Sequence, residues 1–127
     1  MRRQAIATRK APEAIGPYSQ AVAADPWVFL SGQIGLYPAT GALAAGGVRE
    51  QADQALKNLG AVLEAAGVGF EHVVKTTVYL LDLSKFSEMN EVYGRYFGAP
   101  APARATVQVS GLPRGALVQI EAVAVRP

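Results

Sequence analysis

Hydrophobic and polar positions recur along this chain with two different periods, and the switches between them mark its elements. Residues 27–33 (Trp-Val-Phe-Leu-Ser-Gly-Gln) are aromatic and β-branched and predict a strand. Residues 19–24 predict a shorter strand, and the Asp25-Pro26 pair between the two reads as a hairpin turn. Residues 4–8 are a candidate edge strand. From Val48 the period becomes helical: Val48, Ala52, Ala55, Leu56, Leu59, Val62, Leu63 and Ala66 line one stripe, with Arg49, Glu50, Asp53, Lys57 and Glu64 on the other sides. Gly67 is placed to end this helix. Residues 73–81 are β-branched and predict a strand, after which Asp82 or Ser84 can cap a second helix over 85–97. Its aromatic stripe, Phe86, Met89, Tyr93, Tyr96 and Phe97, reads as core. A Pro-rich break at 98–103 leads to two final strands, 105–109 and 117–125.

The order β-β-β-α-β-α-β-β predicts an α+β fold, with one mixed six-stranded sheet and both helices packed on one face. Two helices leave the other face bare, so a partner subunit is the expected cover and an oligomer the expected state. At 127 residues the chain is read as a single domain, 1–127, large enough to bury about two-thirds of its unfolded surface. Half of it is hydrophobic and 17% is charged, which excludes disorder.

Charge and composition then remove several chemistries. A net charge of +2 is far short of a nucleic-acid footprint, so nucleic-acid binding is not expected; the basic cluster Arg2, Arg3, Arg9 and Lys10 lacks interleaved aromatics and reads as surface charge. There is no Cys, hence no thiolate nucleophile and no Cys-based metal site, and one His, His72, cannot build a metal site by itself. His72 reads as a capping or surface residue. The loop 36–47 is Gly/Pro/Ala-rich but has neither phosphate-loop signature. No apolar run approaches the ~20 residues of a membrane span. The basic N-terminus is not followed by the apolar stretch of a signal peptide, so the expected location is cytoplasmic and no membrane contact is expected.

Two charges stand out in this apolar background. Arg104 precedes a strand and Glu121 sits between Ile120 and Ala122, where a carboxylate carries a desolvation cost unless it is paired or functional. Alternation along the last strand puts Val118, Ile120, Ala122 and Ala124 on one face and Gln119, Glu121, Val123 and Val125 on the other. In the strand before it, Ala105, Val107 and Val109 oppose Arg104, Thr106, Gln108 and Ser110. If the apolar faces pack under the helices, Arg104 and Glu121 both point to the bare face, with Thr106, Gln108 and Gln119 nearby. Two roles fit: an interface salt bridge, or a guanidinium fork for a substrate carboxylate beside a carboxyl group that exchanges protons. Spacing does not choose between them.

The chain resembles the reactive intermediate deaminase (Rid) family, close to its RidA group. The resemblance rests on Gly16-Pro17-Tyr18-Ser19-Gln20-Ala21 and Phe29-Leu30-Ser31-Gly32-Gln33-Ile34. It continues through residues 58–67, 74–80 and 86–97, then Pro102-Ala103-Arg104 and Ile120-Glu121-Ala122-Val123-Ala124. It implies a chorismate-mutase-like fold and a homotrimer with clefts between subunits. It also implies hydrolysis of 2-imino or enamine acids (2-aminoacrylate/2-iminopropanoate, 2-iminobutanoate) to 2-keto acids and ammonia, with no cofactor and no metal. Carried over, Arg104 clamps the substrate carboxylate and Glu121 holds the attacking water and moves protons. Tyr18 closes a cleft wall, Ser31 and Gly32 offer hydroxyl and backbone groups near the imine, and Asn90 is a polar wall residue. Thr106 stands where many members have Cys, a position expected to act through its backbone. Gly35 replaces a common Pro, which implies a looser cleft loop. Other readings are a metabolite-sensing module that uses the same clefts without turnover, and an RNA-acting protein, since some relatives are described as endoribonucleases or translation inhibitors.

Overall fold

A computed structural model describes residues 2–127. Six strands form one mixed sheet: β1 (Gln4–Ile6), β2 (Ala21–Ala24), β3 (Trp27–Gln33), β4 (Val73–Leu80), β5 (Ala103–Gln108) and β6 (Val118–Val125). They lie in the order β1-β2-β3-β6-β4-β5, antiparallel except for the parallel pair β4–β5 at one edge. The helices are α1 (Val48–Ala65) and α2 (Phe86–Tyr93). Both cover the same face. Their buried side chains, among them Leu56, Leu59, Leu63, Met89 and Val92, form one core with Val28, Leu30, Val78, Leu80, Val118 and Ile120 of the sheet. Among the described residues no helix is long and apolar enough to cross a membrane.

The helix ends follow the local signals. Gly67, at φ +80°, takes the left-handed position that closes α1, and Val68 N–H donates to Leu63 O across it (3.0 Å). Asp82 Oδ1 accepts from Ser84 N–H at 2.9 Å, starting the turn that leads into α2. His72 Nδ1 accepts from Gly69 N–H at 2.9 Å and caps the short turn before β4. The second helix is shorter than the expected 85–97. It ends at Tyr93, where Gly94 follows and tighter turns take over, from Arg95 N–H to Val92 O and from Tyr96 N–H to Tyr93 O. Tyr96 and Phe97 still reach the core because Phe70 receives both rings, with centroids 5.4 and 5.3 Å apart.

Asn58 ties α1 to the loop after β3. It is buried, and its Nδ2 donates to Ile34 O (3.2 Å) and Leu36 O (2.8 Å) while its Oδ1 accepts from Gln54 (2.9 Å). The same loop is not loosened by Gly35. A Cβ on Gly35 would fall 2.6 Å from Gln51 O on the α1 backbone, so glycine here permits close packing of loop on helix. Replacing Asn58 by Leu leaves Leu36 O without this donor, while Ile34 O keeps only its bond from Leu36 N–H, and should cost about 1–3 kcal/mol in unfolding free energy by urea titration. A variant as stable as the parent would refute the tie.

Candidate functional site

The structure separates Arg104 from Glu121. In register, Arg104 is level with Thr76, and Thr76 with Ala122; both of these are buried beneath the helices. Arg104 is therefore on the helix-covered face, not on the bare one as its strand's apolar alternation suggests. Glu121 pairs with Thr77 and faces the opposite side, the bare face as expected. Within one chain the two residues stand two strands apart, roughly 10 Å in strand spacing, on opposite faces. They form no ion pair, and no ion pair among the described residues involves either.

The reversal has a local cause. β5 is an edge strand, and the part of α2 above it presents aromatic rings. The guanidinium carbon of Arg104 lies 4.7 Å from the Tyr93 ring centroid and 5.4 Å from that of Phe86. Ring faces attract a cation, so the polar side of β5 is accommodated under the helix. Its apolar side, including Val107 at 40% exposure, is turned to the bare face. Gln108 also points to the helix side, where its Oε1 accepts from Leu83 N–H at 2.9 Å.

Around Arg104 two polar atoms are buried without a partner: Asn90 Oδ1 and Thr106 Oγ1. Asn90 lies on α2 four residues after Phe86 and three before Tyr93, on the helix face those rings present. Thr106 is level with the buried Val78. Tyr93 is fixed by its hydroxyl, 2.7 Å from Thr76 Oγ1, and burial raises its pKa against the opposing pull of Thr76 and Arg104. An unsatisfied buried polar group costs about 1–3 kcal/mol, so these two atoms give this side of the sheet hydrogen-bonding capacity that no protein group uses.

The remaining residues gather near β3. Between Leu30 and Gln33 the strand has Ser31 and Gly32 where β6 has Glu121 alone, as Leu30 pairs with Ala122 and Gln33 with Ile120. This bulge sets Ser31 and Gly32 against Glu121. The Ser31 hydroxyl donates to Ser19 O at 2.6 Å, so it can accept from a ligand but its proton is committed. Gly32 has Gln119 over it; a Cβ there would come within 2.7 Å of Gln119 Nε2. A cavity of about 540 Å³ is lined by Tyr18, Ser31, Gly32, Gln119 and Arg114, among others. Tyr18, 54% exposed, stands at this cavity on a segment pinned from below by the buried Gln20. Gln20 Oε1 accepts from Thr8 N–H (2.7 Å) and its Nε2 donates to Pro12 O (2.7 Å).

Thus Tyr18, Ser31 and Gly32 line one cavity with Glu121 set against the bulge at its edge, and Arg104 and Thr106 share the other face of the sheet under the part of α2 that carries Asn90. Three contributors escape a sequence reading: Tyr79, whose hydroxyl donates to Glu121 Oε1 at 2.5 Å, and Phe86 and Tyr93, which read as core but hold Arg104. Tyr79 shares its strand alternation with Lys75 and Thr77, which marks its face. Its diagonal reach to Glu121 depends on the β4–β6 register. Among the described residues no cluster of three or more His, Cys, Asp or Glu could hold a metal.

This fold and these clusters define the class. The chain belongs to the family described as endoribonuclease L-PSP, whose model matches residues 8–126, the family that includes the reactive intermediate deaminases. It is 57% identical over 124 residues to the 2-iminobutanoate/2-iminopropanoate deaminase of Mus musculus, covering 98% of this chain and 92% of that protein. The human protein of the same name is 55% identical, with 98% and 90% covered. Among solved structures, RidA from the Antarctic bacterium Psychrobacter sp. superposes with a TM-score of 0.93 at 47% identity, covering 96% of this chain and 98% of that one. The Escherichia coli protein TdcF with bound serine gives 0.93 at 43%, covering 98% and 99%.

The Tyr79–Glu121 bond has a titration signature. The Glu121 carboxylate accepts the phenol proton, and with partial burial and the nearby negative charge this raises the Tyr79 pKa above the ordinary phenol value. In Glu121→Ala, ultraviolet titration should show one tyrosine ionising at lower pH than in the parent. Superimposable curves would remove the bond.

Proposed function

We propose that the chain hydrolyses 2-imino acids and their enamine tautomers, 2-aminoacrylate/2-iminopropanoate and 2-iminobutanoate, to 2-keto acids and ammonia. It acts as a single domain, 1–127, in cytoplasmic homotrimers whose sites lie between subunits. The observation that carries this reading is the complementarity of the two clusters. A guanidinium with two unsatisfied polar neighbours suits a carboxylate and its adjoining imine. A carboxylate set against a bulge suits a water molecule. Since the clusters occupy opposite faces of one sheet, a single small substrate meets both when a neighbouring copy brings its Glu121 face to this chain's Arg104 edge. The bare face, with Phe29 of β3 half-exposed and Val107 partly exposed on the edge strand β5, favours such a neighbour. The names of the mouse and human relatives support the same substrate class.

The chemistry follows from these groups. Arg104 takes the substrate carboxylate bidentately, its own plane held by Tyr93 and Phe86. Asn90 and Thr106 complete that end of the pocket, and Tyr18 of the neighbouring copy closes the wall. The iminium N–H donates to the free lone pair of Ser31 Oγ of that same neighbouring copy, beside its Gly32 backbone. Glu121 of the neighbouring copy accepts a proton from water as its oxygen attacks C2, giving a carbinolamine. The same carboxyl returns that proton to nitrogen. Glu121, a carboxylate again, takes the carbinolamine hydroxyl proton as the C–N bond breaks and passes it to the departing nitrogen, leaving the keto acid and ammonia as ammonium. An iminium carbon is already electrophilic, so orientation and proton transfer, worth about 10²–10⁴ for the latter, suffice without a covalent nucleophile.

Threonine dehydratase coupled to semicarbazide trapping tests the activity: added protein should accelerate 2-oxobutanoate release, and an unchanged rate would sink the proposal. Arg104→Ala should lower turnover by at least about a hundredfold with the oligomer intact. Full activity in that variant would dismiss the clamp. Mixing Arg104→Ala with Glu121→Gln chains by unfolding and refolding should restore about a quarter of the parent activity, because some sites then combine two intact halves. No recovery would place both residues of a site on one chain.

A further inference from the structure

The proposed reaction asks one oxygen of Glu121 to hold water, yet an exposed-face carboxylate with nothing to fix it rotates and offers either oxygen. The ladder of β4 and β6 supplies the restraint. Thr77 stands directly opposite Glu121 and Tyr79 opposite Gln119, so Tyr79 is the diagonal neighbour of Glu121 on the same face. A diagonal gap is within reach of a long aromatic side chain, and the Tyr79 hydroxyl donates to Glu121 Oε1 at 2.5 Å. Lys75, the one cation on this stretch of β4, does not compete: its Nζ donates to Thr76 O (3.1 Å) and Thr77 Oγ1 (3.2 Å). From β3, the groups set against Glu121 are Ser31, whose proton goes to Ser19 O, and Gly32.

We propose that Tyr79 is a positioning residue for the hydrolysis: by donating to Oε1 it fixes the Glu121 carboxylate and leaves Oε2 as the oxygen that orients the attacking water. This rests on the role of Glu121 given above. A hydrogen bond to an ionised carboxylate is among the stronger ones, and it opposes rotation about the last side-chain torsion. The phenol touches neither the substrate carboxylate nor the imine in this arrangement, so its contribution belongs to the turnover step and not to substrate binding. The raised pKa of Tyr79 keeps the phenol protonated, and so a donor, throughout the working range of an enzyme near neutral pH.

Tyr79→Phe removes the hydroxyl and keeps the ring. With 2-iminobutanoate generated in the coupled assay, kcat should fall about tenfold with KM unchanged. In a Glu121→Gln background the same change should have no further effect, because the carboxylate it positions is gone. Where Glu121→Gln leaves no measurable rate, the split between kcat and KM decides. Parent-like kcat in Tyr79→Phe, a rise in KM in place of the fall in kcat, or an equal loss in both backgrounds would each overturn the inference. If instead Glu121→Gln keeps full activity, the role of Glu121 itself fails, and that outcome is distinct from an inactive Glu121→Gln beside an unaffected Tyr79→Phe.

Discussion

Two helices can cover one face of a six-stranded sheet, and the rest of this molecule is arranged around that coverage. Beneath α1 and α2 the sheet offers Val28, Leu30, Val78, Leu80, Val118 and Ile120, all buried. On the other side the strands present a mixture: Phe29 and Val107, partly exposed, with Thr77, Tyr79, Gln119 and Glu121 among them. A face of this composition is neither a dry core nor a plain solvated surface. Polar groups on it can be held by neighbours across the ladder and still meet an incoming ligand, which a fully buried strand would forbid.

The same coverage divides the chemistry. At the β5 edge, α2 supplies aromatic rings in place of aliphatic packing, and those rings make room for a guanidinium where an apolar side chain would be expected. The result is a cation set over two ring faces, on the side of the sheet where Asn90 and Thr106 have unspent hydrogen-bonding capacity. At the centre of the sheet a bulge in β3 releases Ser31 and Gly32 from regular pairing opposite Glu121. Each half is held locally: Arg104 against the rings of α2, and Glu121 by the Tyr79 hydroxyl across the ladder. Neither has the groups of the other, and together they match what an imino acid presents, a carboxylate at one end and an electrophilic carbon at the other.

Support from further out keeps these halves in place. Gln20 gathers backbone groups of Thr8, Ala11 and Pro12 and so sets the path of the segment that carries Tyr18. Asn58 holds the loop after β3 to α1, and Gly35 lets the two backbones approach. Gln20 and Asn58 are buried amides bonded chiefly to main chain, with Gln54 completing the partners of Asn58. They give a fixed geometry where hydrophobic contact alone would allow sliding.

The helical stripe from Val48, the β-branched run from Val73 and the bare second face were all legible in the sequence, because periodicity and composition are local properties that burial selects directly. The family blocks likewise singled out Arg104 and Glu121 among twelve basic and ten acidic residues. What the sequence could not determine was the side of the sheet on which Arg104 stands. Parity along β5 separates its two faces but does not orient them, and the usual rule that the apolar face goes inward fails at an edge where aromatic rings welcome a cation. The register with Thr76 decided that, as the register of β4 with β6 decided that Tyr79 would meet Glu121. Both are long-range pairings set by how the strands assemble. No stretch of sequence contains them, and they alone determine which functional groups share a face.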